Sequence, residues 1–363
     1  MNFQKIKDFV YQNIVYFAMY NVLILLVLFI IVNFSDFSTG FGAITTVDYF
    51  MFDYTKLSYF GTKLFRTDID LLSSFSLFRE IFIPVFYLMI IVAIVLYFIS
   101  KKTEQRLLQF CMSIMFISNA IMALLLIFAI IGLFSTLGNR PLSEEISISG
   151  IFLTFFFTLF KILVTVSVCF IYLRESKKRV VLRTLPEEQL EVLFLKEGKV
   201  EIPYQRATRG TRFLNVFIDS VIIVLVFSPI LMRELRIFSR YIEDVMGENL
   251  GLYVVSLVTG ILYYTIFEGC FRMTPAKFLT STIVTGYTSL KTNFGQIIGR
   301  SFCRKIPFEA FSFFGDMGWH DQLPETTVSR YETNKKYTSV ITTVFIIAAI
   351  IILFVMLKNM FRF

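Results

Sequence analysis

The run VYFAMYNVLILLVLFIIVNF, residues 15–34, restricts this chain more than any other feature. It is 20 residues without a charge. As an α-helix it would be about 30 Å long, the thickness of a bilayer's hydrocarbon core. Comparable runs recur, and seven spans are read at about 14–33, 81–99, 110–134, 150–173, 212–232, 250–270 and 338–357. The last, SVITTVFIIAAIIILFVML, is as unbroken as the first. The alternating pattern of an outer-membrane barrel is absent. The expectation is therefore an all-α integral membrane protein of about seven transmembrane helices. With 56% hydrophobic residues, 44 Phe and only 17% charged residues, the composition excludes an ordinary soluble domain.

Lys and Arg outnumber Asp and Glu by 35 to 27. In a membrane chain this excess reads as topology rather than nucleic-acid affinity. Lys101, Lys102 and Arg106 fall between spans two and three, and RESKKRVVLR follows span four. Arg272, Lys277, Lys291, Arg300, Arg304, Lys305 and Arg330 fall between spans six and seven. The positive-inside rule places these connections and the N-terminus in the cytoplasm. RELRIFSR, residues 233–240, runs against that scheme. The expected organisation is a four-span membrane domain over 1–174, a cytoplasmic connector over 175–206, a second membrane domain over 207–330 and a terminal span within 331–363. The connector holds LEVLFLKEGKVEIPY, which reads either as a β-hairpin about Glu197 and Gly198 or as an irregular loop. Residues 34–80 read as an extracytoplasmic cap or an interfacial segment.

Cys111, Cys169, Cys270 and Cys303 form no CxxC pair and read as small buried hydrophobes. Neither a disulfide framework nor a metal or other cofactor is expected.

Charges at membrane depth cost roughly 2.5–3.5 kcal/mol, so each needs a reason. Lys161 shares one helical face with Thr154, Thr158 and Thr165. It reads as a cation site or paired charge in a cavity, or as a structural Lys held by a neighbouring acid. Arg212, Asn215 and Asp219 also share a face. About 10 Å of helix rise separates Arg212 from Asp219, so a third group is expected between them, and Asn215 is placed to serve. Gly260, Tyr264 and Glu268 form another stripe.

The polar stretch GDMGWHDQLPETTVSR, residues 315–330, holds the chain's single Trp, Trp319, and single His, His320, with Asp321 next in line. Upstream, FGQIIGRSFCRKI has apolar and basic positions at helical spacing and reads as a cytoplasmic amphipathic helix along the membrane surface before the last span. Trp319 would then sit at the interface, with His320 and Asp321 folded back toward the Arg212 end of span five. A plain structural turn is the alternative.

These residues resemble the RDD family of membrane proteins, named for one arginine and two aspartates. RFLNVFIDS supplies Arg212 and Asp219. MTPAKFL resembles the family's TPGK-type turn, with Thr274, Pro275 and Lys277, and Ala276 where Gly is usual. GRSFCRKIPFEAFSFFG, with Arg300, Arg304 and Pro307, resembles the Arg- and Pro-containing segment, and GWHDQLPETTVSR supplies Asp321 as the second aspartate. The resemblance covers about residues 207–330; residues 1–174 do not share it. The segment before His320 is too short and polar for the third span many relatives carry there. The resemblance implies a bacterial inner-membrane domain, often suggested to act in transport, with some relatives linked to sodium–proton antiport.

No HExxH, GxSxG or Gly-rich phosphate loop is present, so no enzyme is expected. The expected function is transport of ions or small solutes, cation–proton exchange included. Asp219 and Glu268 would be ligands or proton carriers, and Arg212 and Lys161 counter-charges. Lys277, Arg300, Arg304, His320 and Asp321 join Asn215 in the candidate polar network. The alternative is a non-transporting scaffold or accessory subunit that binds a protein or lipid-linked partner. The expected partners are the lipid bilayer and an ion or small solute, not nucleic acid.

Overall fold

The computed structural model describes residues 3–34, 72–137, 148–183, 204–223, 247–286, 292–306, 318–333 and 335–360. The connector hairpin about Glu197, the 35–71 segment, RELRIFSR and Pro307 lie outside the described residues. The described chain is mostly helical. In order it runs α1 (Phe3–Phe34), α2 (Leu72–Ile99), α3 (Arg106–Leu137), α4 (Ile148–Lys178), α5 (Arg209–Ile222), α6 (Glu248–Phe271), α7 (Pro275–Thr280), β1 (Thr282–Gly286), α8 (Phe294–Cys303), α9 (Trp319–Gln322), β2 (Thr326–Arg330) and α10 (Thr338–Met360). Among the described residues no helix is long and apolar enough to cross a membrane. The seven spans therefore remain a reading of the sequence.

The chain divides into two compact units. The first comprises Met1–Lys102, Cys111–Tyr172 and Thr342–Phe363. Within it α1 packs on α2. Ile14, Val15 and Ala18 of α1, Phe86, Ile90 and Ala93 of α2, and Cys111, Met112 and Met115 of α3 are buried. The ring of Tyr11 meets that of Tyr172, centroids 5.7 Å apart. Outward positions are equally apolar: Phe9, Leu88 and Phe156 are exposed. Lys161 belongs to this unit and is half-buried on α4.

The second unit comprises Thr103–Phe110 and Leu173–Ile341. Thr208 caps α5, its side chain accepting from the Thr211 N–H. Gly247, at φ 84°, opens α6 in a backbone conformation that suits glycine. At the other end of α6, Arg272 adopts the left-handed conformation and turns the chain, and Pro275 then takes the first position of α7, where its missing N–H costs nothing. Ser281, also left-handed, turns the chain again into β1. β1 and β2 pair antiparallel, Thr282 opposite Arg330 and Gly286 opposite Thr326. This two-stranded sheet adds to the expected all-helical picture. Both strands are rich in Thr and Val, types that suit a pleated, buried surface, yet their pairing spans more than forty residues of chain. The ends of the expected connector join β2: Ala207 N–H donates to the Val328 carbonyl and Arg183 N–H to that of Arg330.

One expectation changes here: Cys303 is half-buried and Cys270 is exposed, rather than buried. Cys270 lies in the last turn of α6, where Lys177 donates to its carbonyl at 3.2 Å. Along α8, Ile297, Arg300 and Ser301 are the buried residues, so Arg300 of the candidate polar network lies on the inward face of this helix. Carboxylates on α6 and α9 draw Arg300 inward.

A separate ion pair closes the start of α3. Arg106 and Glu104 are both buried and meet in a bidentate fork, at 2.9 and 2.7 Å. Arg106 also reaches Thr338 at 3.2 Å.

Candidate functional site

The site is assembled in the second unit from α5, α6, α7, α8 and α9. On α5 the three- and four-residue spacing holds: Arg212, Asn215 and Asp219 are all buried on one face, with Ile218 and Ile222. They do not bond to one another as expected. Each instead turns to a different partner, because the helix rise keeps them apart while other elements come close.

Arg212 Nη1 donates to Asp321 Oδ2 at 3.2 Å. Asn215 pairs with the Thr282 hydroxyl at 3.0 Å and accepts from Thr280. Asp219 is held by neutral donors: the Tyr263 hydroxyl at 2.8 Å, the Thr274 hydroxyl at 2.7 Å and the Ala276 N–H at 3.3 Å. The last of these supplies an acceptor to the first turn of α7.

Glu268 is wholly buried and faces three cations. Lys277 Nζ and Arg304 Nη2 each donate to Oε1 at 2.8 Å. Arg300 Nε lies 3.1 Å from Oε2, close enough for charge attraction but not aligned as a hydrogen bond. Arg300 is fully buried and also binds Asp321 Oδ1 and the Thr326 hydroxyl through Nη1. It is thus the link between the two carboxylates. His320 Nε2 stands 3.6 Å from Asp321 Oδ2. Trp319 is partly exposed beside this buried pair.

Arg304 stacks over the Tyr264 ring, 3.9 Å from its centroid. Burial opposes the Arg304 charge, but Glu268 more than compensates and holds its pKa above the ordinary value. Burial also pushes Asp321 up, and Arg300, His320 and Arg304 together outweigh it, leaving the carboxyl below its usual range. For Lys277 burial wins: its pKa is lowered even though Glu268 supports the charge.

Arg212, Asn215, Asp219, Tyr264, Lys277, Arg300, Arg304 and His320 line one small cavity. Lys161 belongs to the other unit and is no part of this arrangement. Tyr263 and Thr326 have roles that no local pattern announces, since their partners lie 44 and 26 residues away. Thr274 stood within the MTPAKFL turn, which was the available signal. Among the described residues no group of three His, Cys, Asp or Glu is placed to hold a metal ion. What the arrangement offers chemically is a dense set of fixed donors around a small, partly open cavity.

Asp219→Asn tests the neutral node. Three donors converge on two carboxylate oxygens, and an amide can accept at only one of them. A buried donor left unmatched costs about 1–3 kcal/mol. Thermal unfolding of the purified variant should show that loss. An unchanged melting temperature would remove Asp219 as the junction of α5, α6 and α7.

No curated protein and no solved structure matches the chain. A family model does, over residues 206–361, a stretch that begins just before α5 and runs through α10. The matching model is that of the RDD family, to which residues 206–361 are similar.

Proposed function

We propose that this is a multi-pass protein of the bacterial inner membrane, with its N-terminus in the cytoplasm, that carries a small charged solute across the bilayer. The binding centre would be the cavity between α5, α6, α7 and α8. The observation that carries the reading is a small, partly open cavity lined by Arg212, Asp219, Lys277, Arg300 and Arg304. Arg212 and Asp219 fall within an expected span, where ionisable side chains are expensive and mark solute or ion pathways in membrane proteins. The similarity of residues 206–361 to the RDD family supports a membrane setting. So do the apolar runs of the sequence, which coincide with helices such as α1 of 32 residues and α10 of 23. The most apolar halves of these two helices, residues 24–34 and 351–360, fall outside the residues whose side chains are described. Exposed Leu23, Leu88, Phe160 and Ile350 suit contact with acyl chains. The proposal assigns no catalytic step.

One feature favours the second reading, a non-transporting scaffold or accessory subunit: Glu268 and Asp321 are each locked by two or more cations. Reconstitution separates the two. The purified full chain in liposomes should move charged solutes down imposed gradients, and Arg300→Gln should abolish that movement. Sealed vesicles with no flux of inorganic cations, inorganic anions or protons would leave the scaffold reading. A single cysteine at Ser38, labelled by an impermeant reagent from outside intact cells, checks the orientation; protection there would reverse it.

A further inference from the structure

By burial, α8 is turned inside out. Phe294, Ile298, Phe302 and Ile306 recur every four residues, which sets them on one face of the helix and of the turn that ends it. Phe294 and Phe302 are 62% and 56% exposed, Ile306 is exposed as well, and Ile298 is half-buried. No charge interrupts this stripe. The charges lie on the other side: Arg300 is fully buried, and Arg304 reaches inward to Glu268. A surface helix facing water shows the reverse, apolar inward and charged outward.

The path of α8 along α6 is equally specific. The two helices pack on each other. A Cβ on Gly269 would meet the Phe294 ring at 3.4 Å. Arg300 and Arg304 both come to Glu268, and Arg304 also covers the Tyr264 ring. Lys305 lies over Gly260, so close that a Cβ there would overlap its ammonium. As α8 advances from residue 294 to 305, its contacts step back along α6 from residue 269 to 260. That retreat covers about 13 Å of helix rise.

In the expected topology Gly269 lies at the cytoplasmic end of span six and Gly260 at its middle. A helix lying flat on the membrane surface does not reach Gly260. A helix running down α6 does, and it arrives at roughly half the depth of a 30 Å hydrocarbon core. The inward turn of Arg300, Arg304 and Lys305 is what such depth demands, because charges there face protein rather than lipid. The uncharged outer stripe complements hydrocarbon.

We infer that α8 is a re-entrant helix: it enters the bilayer from the cytoplasmic face alongside α6, and its Phe294, Phe302 and Ile306 face is a contact surface for lipid acyl chains. This rests on the reading of the chain as a membrane protein, and it replaces the expected course along the membrane surface.

Depth-dependent fluorescence quenching tests the inference. Trp319→Phe removes the only tryptophan of the chain, so a single introduced one reports alone. On that background Phe294→Trp, Phe302→Trp and Ile306→Trp report along α8. Leu262→Trp, exposed on α6 near the level of Gly260, gives the depth of α6, and Leu23→Trp, exposed at the middle of span one, shows insertion itself. The full chain is reconstituted in phosphatidylcholine liposomes carrying bromine either near the headgroup or near the midplane. Leu23→Trp, Leu262→Trp and Ile306→Trp should be quenched most by deep bromine, and Phe294→Trp by shallow bromine. The depth difference between Ile306→Trp and Phe294→Trp should be on the order of 10 Å. Phe302→Trp, an aromatic-for-aromatic exchange, should fall between them and decides the matter if Ile306→Trp does not fold. Ile306→Trp and Phe302→Trp as shallow as Phe294→Trp, beside a deep Leu23→Trp, overturn the re-entrant helix and leave the membrane reading standing. Stripe positions that neither bromine quenches, beside a deep Leu262→Trp, also overturn it, since a protein surface then covers the stripe. Leu23→Trp untouched by either bromine overturns the membrane reading and the re-entrant helix with it.

Discussion

Glu268→Gln is expected to be the most damaging single change in this protein, with a loss of about 3–5 kcal/mol. One buried carboxylate balances Lys277 and Arg304 at 2.8 Å and Arg300 at 3.1 Å. An amide of the same size removes the negative charge and turns an N–H toward guanidinium groups that have only donors to offer. The three cations then repel one another in a site that water reaches poorly. Lys277→Met should cost less, because Glu268 keeps two arginines. Adding Lys277→Met to Glu268→Gln should recover part of the loss, since one of the stranded charges is gone. Thermal unfolding in detergent measures all three proteins. A Glu268→Gln variant that melts within about a degree of the parent would show that the cations do not depend on this acid.

The second large effect concerns Asp321. Arg212 and Arg300 both bind it, and it is wholly buried. Asp321→Asn should therefore cost more than Arg212→Gln, which leaves the carboxylate still held by Arg300. In the double variant the losses should fall short of their sum, with a coupling of about 0.5–3 kcal/mol. Strict additivity would mean that the 3.2 Å contact carries no energy. The pH dependence has a definite sign. Burial raises the carboxyl pKa, Arg300 and its neighbours lower it by more, and the folded value lies below the ordinary 3.8. The stabilisation is thus fully present above the ordinary carboxylate pKa and is lost as pH falls through the depressed folded value. The melting gap between parent and Asp321→Asn should stay constant from about pH 5 upward and close on strong acidification. A gap that widened with acid would reverse the assignment of charge.

The periodicities that follow from the α-helix itself were readable in the sequence. Arg212, Asn215 and Asp219 recur at three and four residues, and any α-helix through them puts all three on one face. That face is buried, as charged residues among Phe, Val and Ile suggest. Pro275 after Thr274 marks a helix start because proline lacks the N–H that a first turn leaves unused.

Which partner each charge takes was settled only in three dimensions. The expected bridge from Arg212 through Asn215 to Asp219 does not form. Arg212 meets Asp321, 109 residues away, the residue read as folding back toward this end of span five, whereas Asp219 meets a tyrosine 44 residues away that the sequence did not point to. Nothing in local spacing encodes such distances. They depend on the two left-handed turns, at Arg272 and Ser281, that send α6 back through α7 into β1, and on the pairing of β1 with β2 that delivers Asp321. Arg300 shows the same limit most plainly. Read along the sequence, it is one of several basic residues of the candidate polar network, with no partner assigned to it. In the fold it is the largest fully buried side chain among the described residues, because Glu268 and Asp321 arrive from two other helices to meet its two edges. Backbone geometry dictates which residues of one element share a face. Which faces meet is decided by chain reversals and by the cost of leaving a buried charge alone, and both are properties of the assembled structure.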